Sequence, residues 1–113
     1  MTITNEQIKN HPFLQGMYQD TYFPTHLVDK GRQILMHLCA SIESTKPRSL
    51  DELYALTHAS TEEFNALAGE FEDNDSEIET AARDCIGEDF RFIAKAYGFA
   101  DADGEELIAT RDW

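Results

Sequence analysis

Apolar residues recur at three- and four-residue steps along most of the chain, which is the spacing of one face of an α-helix. The first stripe runs from Leu27 to Ile42, begins after Pro24 and ends before Pro47. Two further stripes run from Leu53 to Phe71 and from Ile78 to Tyr97. The pattern predicts three long helices, over residues 24–44, 49–72 and 76–97.

Polar residues predict where these helices begin and end. Ser49–Glu52 and Ser76–Glu79 have the spacing of a capping box, in which a hydroxyl and a carboxylate satisfy free backbone N–H groups. A third box, Ser60–Glu63, predicts a break or a kink near Ala59 inside the second helix. Gly98 stands where a left-handed residue is expected to end the third helix.

Shorter helices are expected on both sides of the long ones. Asn10–Leu14 predicts one, with Pro12 in its first turn, and residues 104–110 predict a last one. No stretch alternates between apolar and polar residues as a strand does, and no linker or repeat divides the chain. The sequence therefore predicts an all-α fold, in which residues 1–113 form one compact bundle of three long helices plus short terminal helices.

The net charge of −13 is unevenly distributed along the 113 residues. Residues 1–61 carry six acidic residues against five Lys or Arg, whereas residues 62–113 carry sixteen against four. Such a field repels nucleic-acid phosphates and anionic lipid headgroups, and it attracts basic proteins. We therefore expect no nucleic-acid or membrane partner. The densest acidic segment forms a candidate interface, although solubility alone would also explain it: Glu70, Glu72, Asp73, Asp75 and Glu77.

Cys39 and Cys85 fit no zinc or redox spacing. Both lie on apolar stripes, where we expect buried, reduced and unreactive thiols. The first residues lack the basic and apolar regions of a signal peptide, and no apolar run approaches the ~20 residues that span a bilayer. These features predict a cytoplasmic protein.

Motifs for metal or cofactor binding are weak. Asp73, Asp75 and Glu77 have the spacing of an EF-hand loop, but Ile78 stands where that loop needs a glycine. The sequence contains no Glu-x-x-His pair of a di-iron bundle, no phosphate-binding glycine loop and no nucleophile motif. We expect neither a metal nor a cofactor.

A polar cluster on the third predicted helix is the strongest candidate for chemistry: Glu79, Arg83, Asp84, Glu88 and Asp89. Asp89 is in register with the apolar stripe, so its carboxylate is expected to face the core and to need a partner there. The expected partners are Arg83, Lys30, Arg32 and Tyr54. Asp89 is then either half of a structural ion pair or a catalytic acid or base.

Aromatic residues form a second candidate. Tyr18, Tyr22 and Phe23 precede the first long helix and either wrap onto the core or form a partner-binding surface. Trp113 allows the same two interpretations, and we expect it to dock onto the domain.

Four strings carry a resemblance to a known family: Met17–Gly31, Ser49–His58, Asp75–Cys85 and Glu106–Trp113. Together they resemble a family of small acidic bacterial proteins catalogued as a domain of unknown function. The resemblance implies a bacterial source and one compact unit, and it implies no activity.

The leading hypothesis is a non-enzymatic interaction or regulatory protein whose acidic C-terminal half binds a basic partner protein. An immunity or antitoxin-like role is one concrete form of it. The alternative is a small enzyme with a site around Arg83, Asp84 and Asp89. A homodimer whose interface completes the core is a third possibility.

Overall fold

The computed structural model describes residues 3–113, and within that range the chain forms six helices and no strand. Met1 and Thr2, which begin the predicted domain, lie outside the described residues. Three helices are long and three are short, which confirms the predicted all-α fold. In chain order they are α1 (Glu6–Lys9), α2 (Gln15–Tyr18), α3 (Thr25–Thr45), α4 (Leu50–Asp73), α5 (Thr80–Ala96) and α6 (Gly104–Leu107).

Several helix ends lie within a residue or two of their predicted positions. Helix α3 starts directly after Pro24, and Ser49 Oγ caps α4 by accepting the backbone N–H of Glu52 at 3.2 Å. At the end of α5, Gly98 has a φ of 90°, a left-handed conformation that residues with a Cβ rarely adopt. The Phe99 N–H then donates to the Ala94 carbonyl at 2.8 Å, which completes a Schellman cap.

The predicted break near Ala59 is wrong, because α4 continues from Leu50 to Asp73. Ser60 is buried instead of capping a helix start. In the middle of a helix the backbone N–H groups already have carbonyl partners, so a capping box has nothing to satisfy. Continuation also buries Phe64 and Leu67 on the same stripe.

The predicted start of α5 at residue 76 is also wrong, because Ser76 takes part in the C-terminal cap of α4. Asp75 is left-handed, with a φ of 60°, and the Ser76 N–H donates to the Phe71 carbonyl at 2.9 Å. Asp75 and Ser76 are the two positions that follow the C-cap residue, Asn74, in a Schellman motif. Helix α5 therefore begins later, with Glu79 as its cap, whose carboxylate accepts the Ala82 N–H at 3.3 Å.

The short helices differ from the predicted ones. Residues 10–14 lie in a loop between α1 and α2, not in a helix, and Leu14 in that loop has a left-handed φ of 57°. Asn5 caps α1, because its side chain accepts the N–H groups of Gln7 and Ile8. At the other end α6 stops at Leu107, three residues before the predicted end.

Apolar faces of all six helices meet in one core. Helix α3 packs chiefly against α4, whereas α5 contacts α1, α2 and α6. The rings of Phe64 on α4 and Phe90 on α5 lie 6.0 Å apart and join the two groups. The radius of gyration of 13.4 Å is close to the ~13 Å expected for one globule of this size. Within residues 3–113, none of the helices is long and apolar enough to cross a membrane.

Candidate functional site

Asp89 lies on the buried face of α5, with 7% of its surface exposed. Its Oδ2 accepts the backbone N–H of Leu14 at 2.7 Å, and its Oδ1 lies 2.8 Å from Nε2 of His11. These partners belong to the loop between α1 and α2, 75 and 78 residues away in sequence. The expected partners Arg83, Lys30, Arg32 and Tyr54 are wrong, since none of them bonds to Asp89.

The other members of the predicted polar cluster make separate contacts or none. Glu79 caps α5, and Nε of Arg83 donates to the Trp113 carbonyl at 3.1 Å. Asp84 and Glu88 are exposed. The predicted cluster is therefore not one site: Arg83 bonds to the C-terminal residue, whereas Asp89 bonds to the loop between α1 and α2.

His11 is held by its ring as well as by Asp89. The imidazole stacks on Phe92, with centroids 3.8 Å apart and an interplanar angle of 13°, and it meets Phe13 edge-on at 4.6 Å. On one side of His11 is a cleft of about 410 Å³, which we call the Asp89 cleft because it is lined by Asp84, Glu88 and Asp89. His11 also lines a neighbouring cleft on the side of α3.

Both cysteines are free, but only one is as buried as predicted. Cys39 is fully buried; burial and then the negative charge of Glu43 raise the pKa of its thiol to about 12. Cys85 is half-buried and lines the Asp89 cleft, which corrects the prediction of a buried thiol. Burial raises the pKa of Cys85 as well, so both sulfurs are poor nucleophiles at neutral pH.

The predicted aromatic surface is split by the fold. Tyr18 and Tyr22 are exposed, at 36% and 45%, but Phe23 is buried and packs edge-on against Phe71 at 6.2 Å. Phe23 therefore belongs to the core, not to a surface. The hydroxyl of Tyr18 donates to Asp29 Oδ1 at 2.6 Å, and partial burial together with this bond raises the pKa of Tyr18 to about 12.

Four of the five predicted interface carboxylates are exposed: Glu72, Asp73, Asp75 and Glu77. The fifth, Glu70, forms an ion pair with Lys30 and is not free for a partner. A groove of about 380 Å³ runs beside this segment, and we call it the acidic groove. Its carboxylates are those of Glu72, Glu77 and Asp112, and its apolar lining includes Ile78 and Trp113.

Trp113 docks onto the domain at this groove, as expected. Its ring is half-buried and lies edge-on to Phe64 at a centroid distance of 6.1 Å. The indole Nε1 is buried and has no acceptor among the described residues. The ring therefore serves both as an edge of the core and as a wall of the acidic groove.

The sequence gives no signal of a second polar network, which is only partly buried and is centred on Glu43. Glu43 on α3 accepts the Tyr97 hydroxyl at 2.6 Å, the Thr4 N–H and hydroxyl at 2.9 Å each, and the Asn5 N–H at 3.2 Å. Burial alone would raise the pKa of Glu43, but these bonds outweigh it and lower the pKa to about 2. No local motif predicts this network, because the partners of Glu43 are 38 to 54 residues away from it in sequence.

No group of three or more His, Cys, Asp or Glu side chains is placed to hold a metal within residues 3–113. The aspartates with EF-hand spacing belong instead to the end of α4 and the turn that follows it.

A family described as a family of unknown function, DUF5713, matches residues 7–113. Comparison with curated proteins and with solved structures gave no match.

Proposed function

The chain belongs to DUF5713, a family of unknown function, and we propose that it is a non-enzymatic protein that binds a basic partner protein through its acidic C-terminal half. The acidic groove is the observation that carries this proposal. An immunity or antitoxin-like role, in which this surface occludes a basic toxin, is one concrete form. We also propose a bacterial source, which the family resemblance implies, and a cytoplasmic setting, since both cysteines are free.

The groove suits a lysine or arginine side chain. Glu72 lies near the end of α4, Glu77 in the connection to α5, and Asp112 near the end of the chain. Between them Ile78 and Trp113 supply apolar surface. Long basic side chains lay their methylene groups on apolar surface while the charged end meets a carboxylate.

Apart from Glu70, the carboxylates of this segment have no cation paired with them in the described part of the chain. Among the described residues, none of Glu72, Asp73, Asp75 and Glu77 has a cationic partner within 4.0 Å. Unpaired carboxylates repel one another and oppose folding slightly, and they also steer a basic partner over about a Debye length, ~8 Å at physiological salt. We interpret them as a recognition surface, with solubility as the simpler alternative.

We propose an enzymatic role around Arg83, Asp84 and Asp89 as the second candidate, with His11 as a further member because it bonds to Asp89. A carboxylate that orients a histidine beside a cleft is the arrangement of a general base. Against it, both oxygens of Asp89 are engaged by the N-terminal loop, which suits a structural tie.

The test compares two fourfold variants that remove equal charge. The groove variant replaces Glu72→Gln and Glu77→Gln, which line the groove, together with Asp73→Asn and Asp75→Asn, which lie between them in sequence. The control variant replaces four exposed carboxylates that do not line the groove and make no hydrogen bond among the described residues: Glu63→Gln, Asp84→Asn, Glu88→Gln and Asp101→Asn. Glu70 is left intact because of its pair with Lys30.

Each protein is used to capture binders from a lysate of the source organism, and association rates are then measured at several salt concentrations. We expect a basic protein on wild type and on the control, slower capture by the groove variant, and a weaker salt dependence for that variant. Equal association rates for the two variants would show that the acidic segment does not steer binding and serves only solubility. Recovery of only the chain itself would favour the homodimer.

A further inference from the structure

A cleft of about 560 Å³ lies between α2 and α3, and its volume is within the range of small-molecule sites. We call it the Arg32 cleft. All of its lining residues fall between positions 11 and 32, in the half of the chain whose net charge is close to zero. The surface proposed for a basic partner contributes nothing to it.

Hydrogen-bond donors dominate the polar lining. Arg32 is exposed and has no carboxylate within 4.0 Å in the described part of the chain. Its guanidinium presents five N–H donors, and the amides of Gln15 and Gln19 add more. The single carboxylate in the lining, Asp29, already accepts the hydroxyl of Tyr18.

This lining is less acidic than that of the two clefts described above. The Asp89 cleft and the acidic groove each carry three carboxylates, whereas the Arg32 cleft carries one carboxylate, one guanidinium and His11. In a protein with a net charge of −13, a cleft whose guanidinium has no ion pair among the described residues repels an anion less than those two clefts do.

The apolar part of the lining is aromatic or cyclic. It consists of Pro12, Tyr18 and Phe13, of which Phe13 is 2% exposed and belongs to the core. Flat walls of this kind favour a ligand with a flat apolar body, since aromatic rings pack face-to-edge or offset against one another.

We propose that the Arg32 cleft binds a small organic anion with a flat apolar body, of the chemical class of the aromatic carboxylates. Arg32 holds the carboxylate through paired N–H donors, Gln15 and Gln19 add amide donors, and Tyr18 and Pro12 cover the ring. This site does not depend on the proposed protein partner.

The probe is phenylacetate, titrated into ¹⁵N-labelled protein while backbone amide shifts are recorded. We expect saturable shifts confined to residues 11–19 and 29–32. A phenylacetate concentration of about 20 mM should reach saturation, because a ligand of fragment size binds with a dissociation constant of ~1 mM. Benzylamine, of similar size but opposite charge, should leave those amides unmoved. No saturable shift there with phenylacetate, or equal shifts with benzylamine, would overturn the proposal.

The Arg32→Gln variant should bind phenylacetate at least about threefold more weakly, because a charge-assisted bond is lost at an exposed position. Arg48→Gln is the matched control, since Arg48 is exposed and lies outside the cleft, and it should bind like wild type. The unbound spectra show directly whether each variant is folded. Equal affinity of Arg32→Gln and wild type would contradict the assignment.

Discussion

Nε2 of His11 lies 2.8 Å from Oδ1 of Asp89 and joins the loop between α1 and α2 to the middle of α5. The other oxygen of the same carboxylate accepts the N–H of Leu14, which has a left-handed φ of 57°. One buried carboxylate thus holds both a side chain and a backbone group of the N-terminal segment, and it fixes the wall that separates the Asp89 cleft from the Arg32 cleft.

Asp89→Ala should lower the free energy of unfolding by about 2–4 kcal/mol. The substitution removes two hydrogen bonds and leaves the buried N–H of Leu14 without an acceptor. Urea denaturation measures the loss. Asp84→Ala, on the same helix but exposed, should change stability by less than about 0.5 kcal/mol. Equal effects of the two substitutions would mean that the Asp89 contacts contribute little.

Glu43→Gln should be destabilising at neutral pH by about 1–2 kcal/mol, because the amide loses charge-assisted bonds from Tyr97 and Thr4. The pKa of Glu43 is about 2 in the folded protein against 4.5 ordinarily, so its carboxylate stabilises the fold above pH 4.5 and loses that effect as the pH falls toward 2.

The difference in unfolding free energy between wild type and Glu43→Gln should therefore narrow through this acidic window. Urea titrations at a series of pH values follow it. Glu63→Gln is the control, since Glu63 is exposed, and its difference from wild type should stay flat. A difference in unfolding free energy between wild type and Glu43→Gln that does not change with pH would show that the charge of Glu43 does not stabilise the fold.

Cys39 should resist a thiol reagent in the native protein, whereas Cys85 should react slowly and faster as the pH rises. Burial raises the pKa of both thiols, and only Cys85 is partly exposed. Labelling wild type and Cys85→Ser, in parallel with unfolded samples, separates the two rates. Rapid native labelling of Cys39 would show that α3 opens locally.

Gly31→Ala and Gly69→Ala should change stability in opposite directions. A Cβ at Gly31 would lie 3.0 Å from Leu14 Cδ1 and 3.2 Å from Phe64 Cε1, so overpacking in the core should cost about 1–2 kcal/mol. A Cβ at Gly69 meets nothing within 4 Å, and the higher helix propensity of alanine should add about 0.5–1 kcal/mol. Thermal melts compare the pair. A shift of the same sign at both positions would contradict the packing argument.

The three long helices could be predicted because their signals are local. A stripe such as Leu27 to Ile42 repeats with the helical period, and a proline or glycine stops the helix through its own backbone preference. Each of these effects acts between residues at most four positions apart. The same reasoning predicted that Asp89 faces the core.

Capping motifs predicted helix starts less well than the apolar stripes did, because the same residue pattern also occurs inside helices and at their C-terminal ends. Ser49 caps α4, but Ser60 lies inside an unbroken helix and Ser76 belongs to the end of α4. Which of three similar motifs begins a helix depends on whether the neighbouring turn packs better as helix or as loop.

The sequence by itself thus determined the helical class, the main helix positions and the concentration of charge in residues 62–113. Only the tertiary structure decided that Asp89 meets His11, that Glu43 meets Tyr97 and that Phe23 is buried while Tyr22 is not. The two polar pairs join residues 78 and 54 positions apart. No local preference selects one distant partner over another, and the choice follows from how the helices pack.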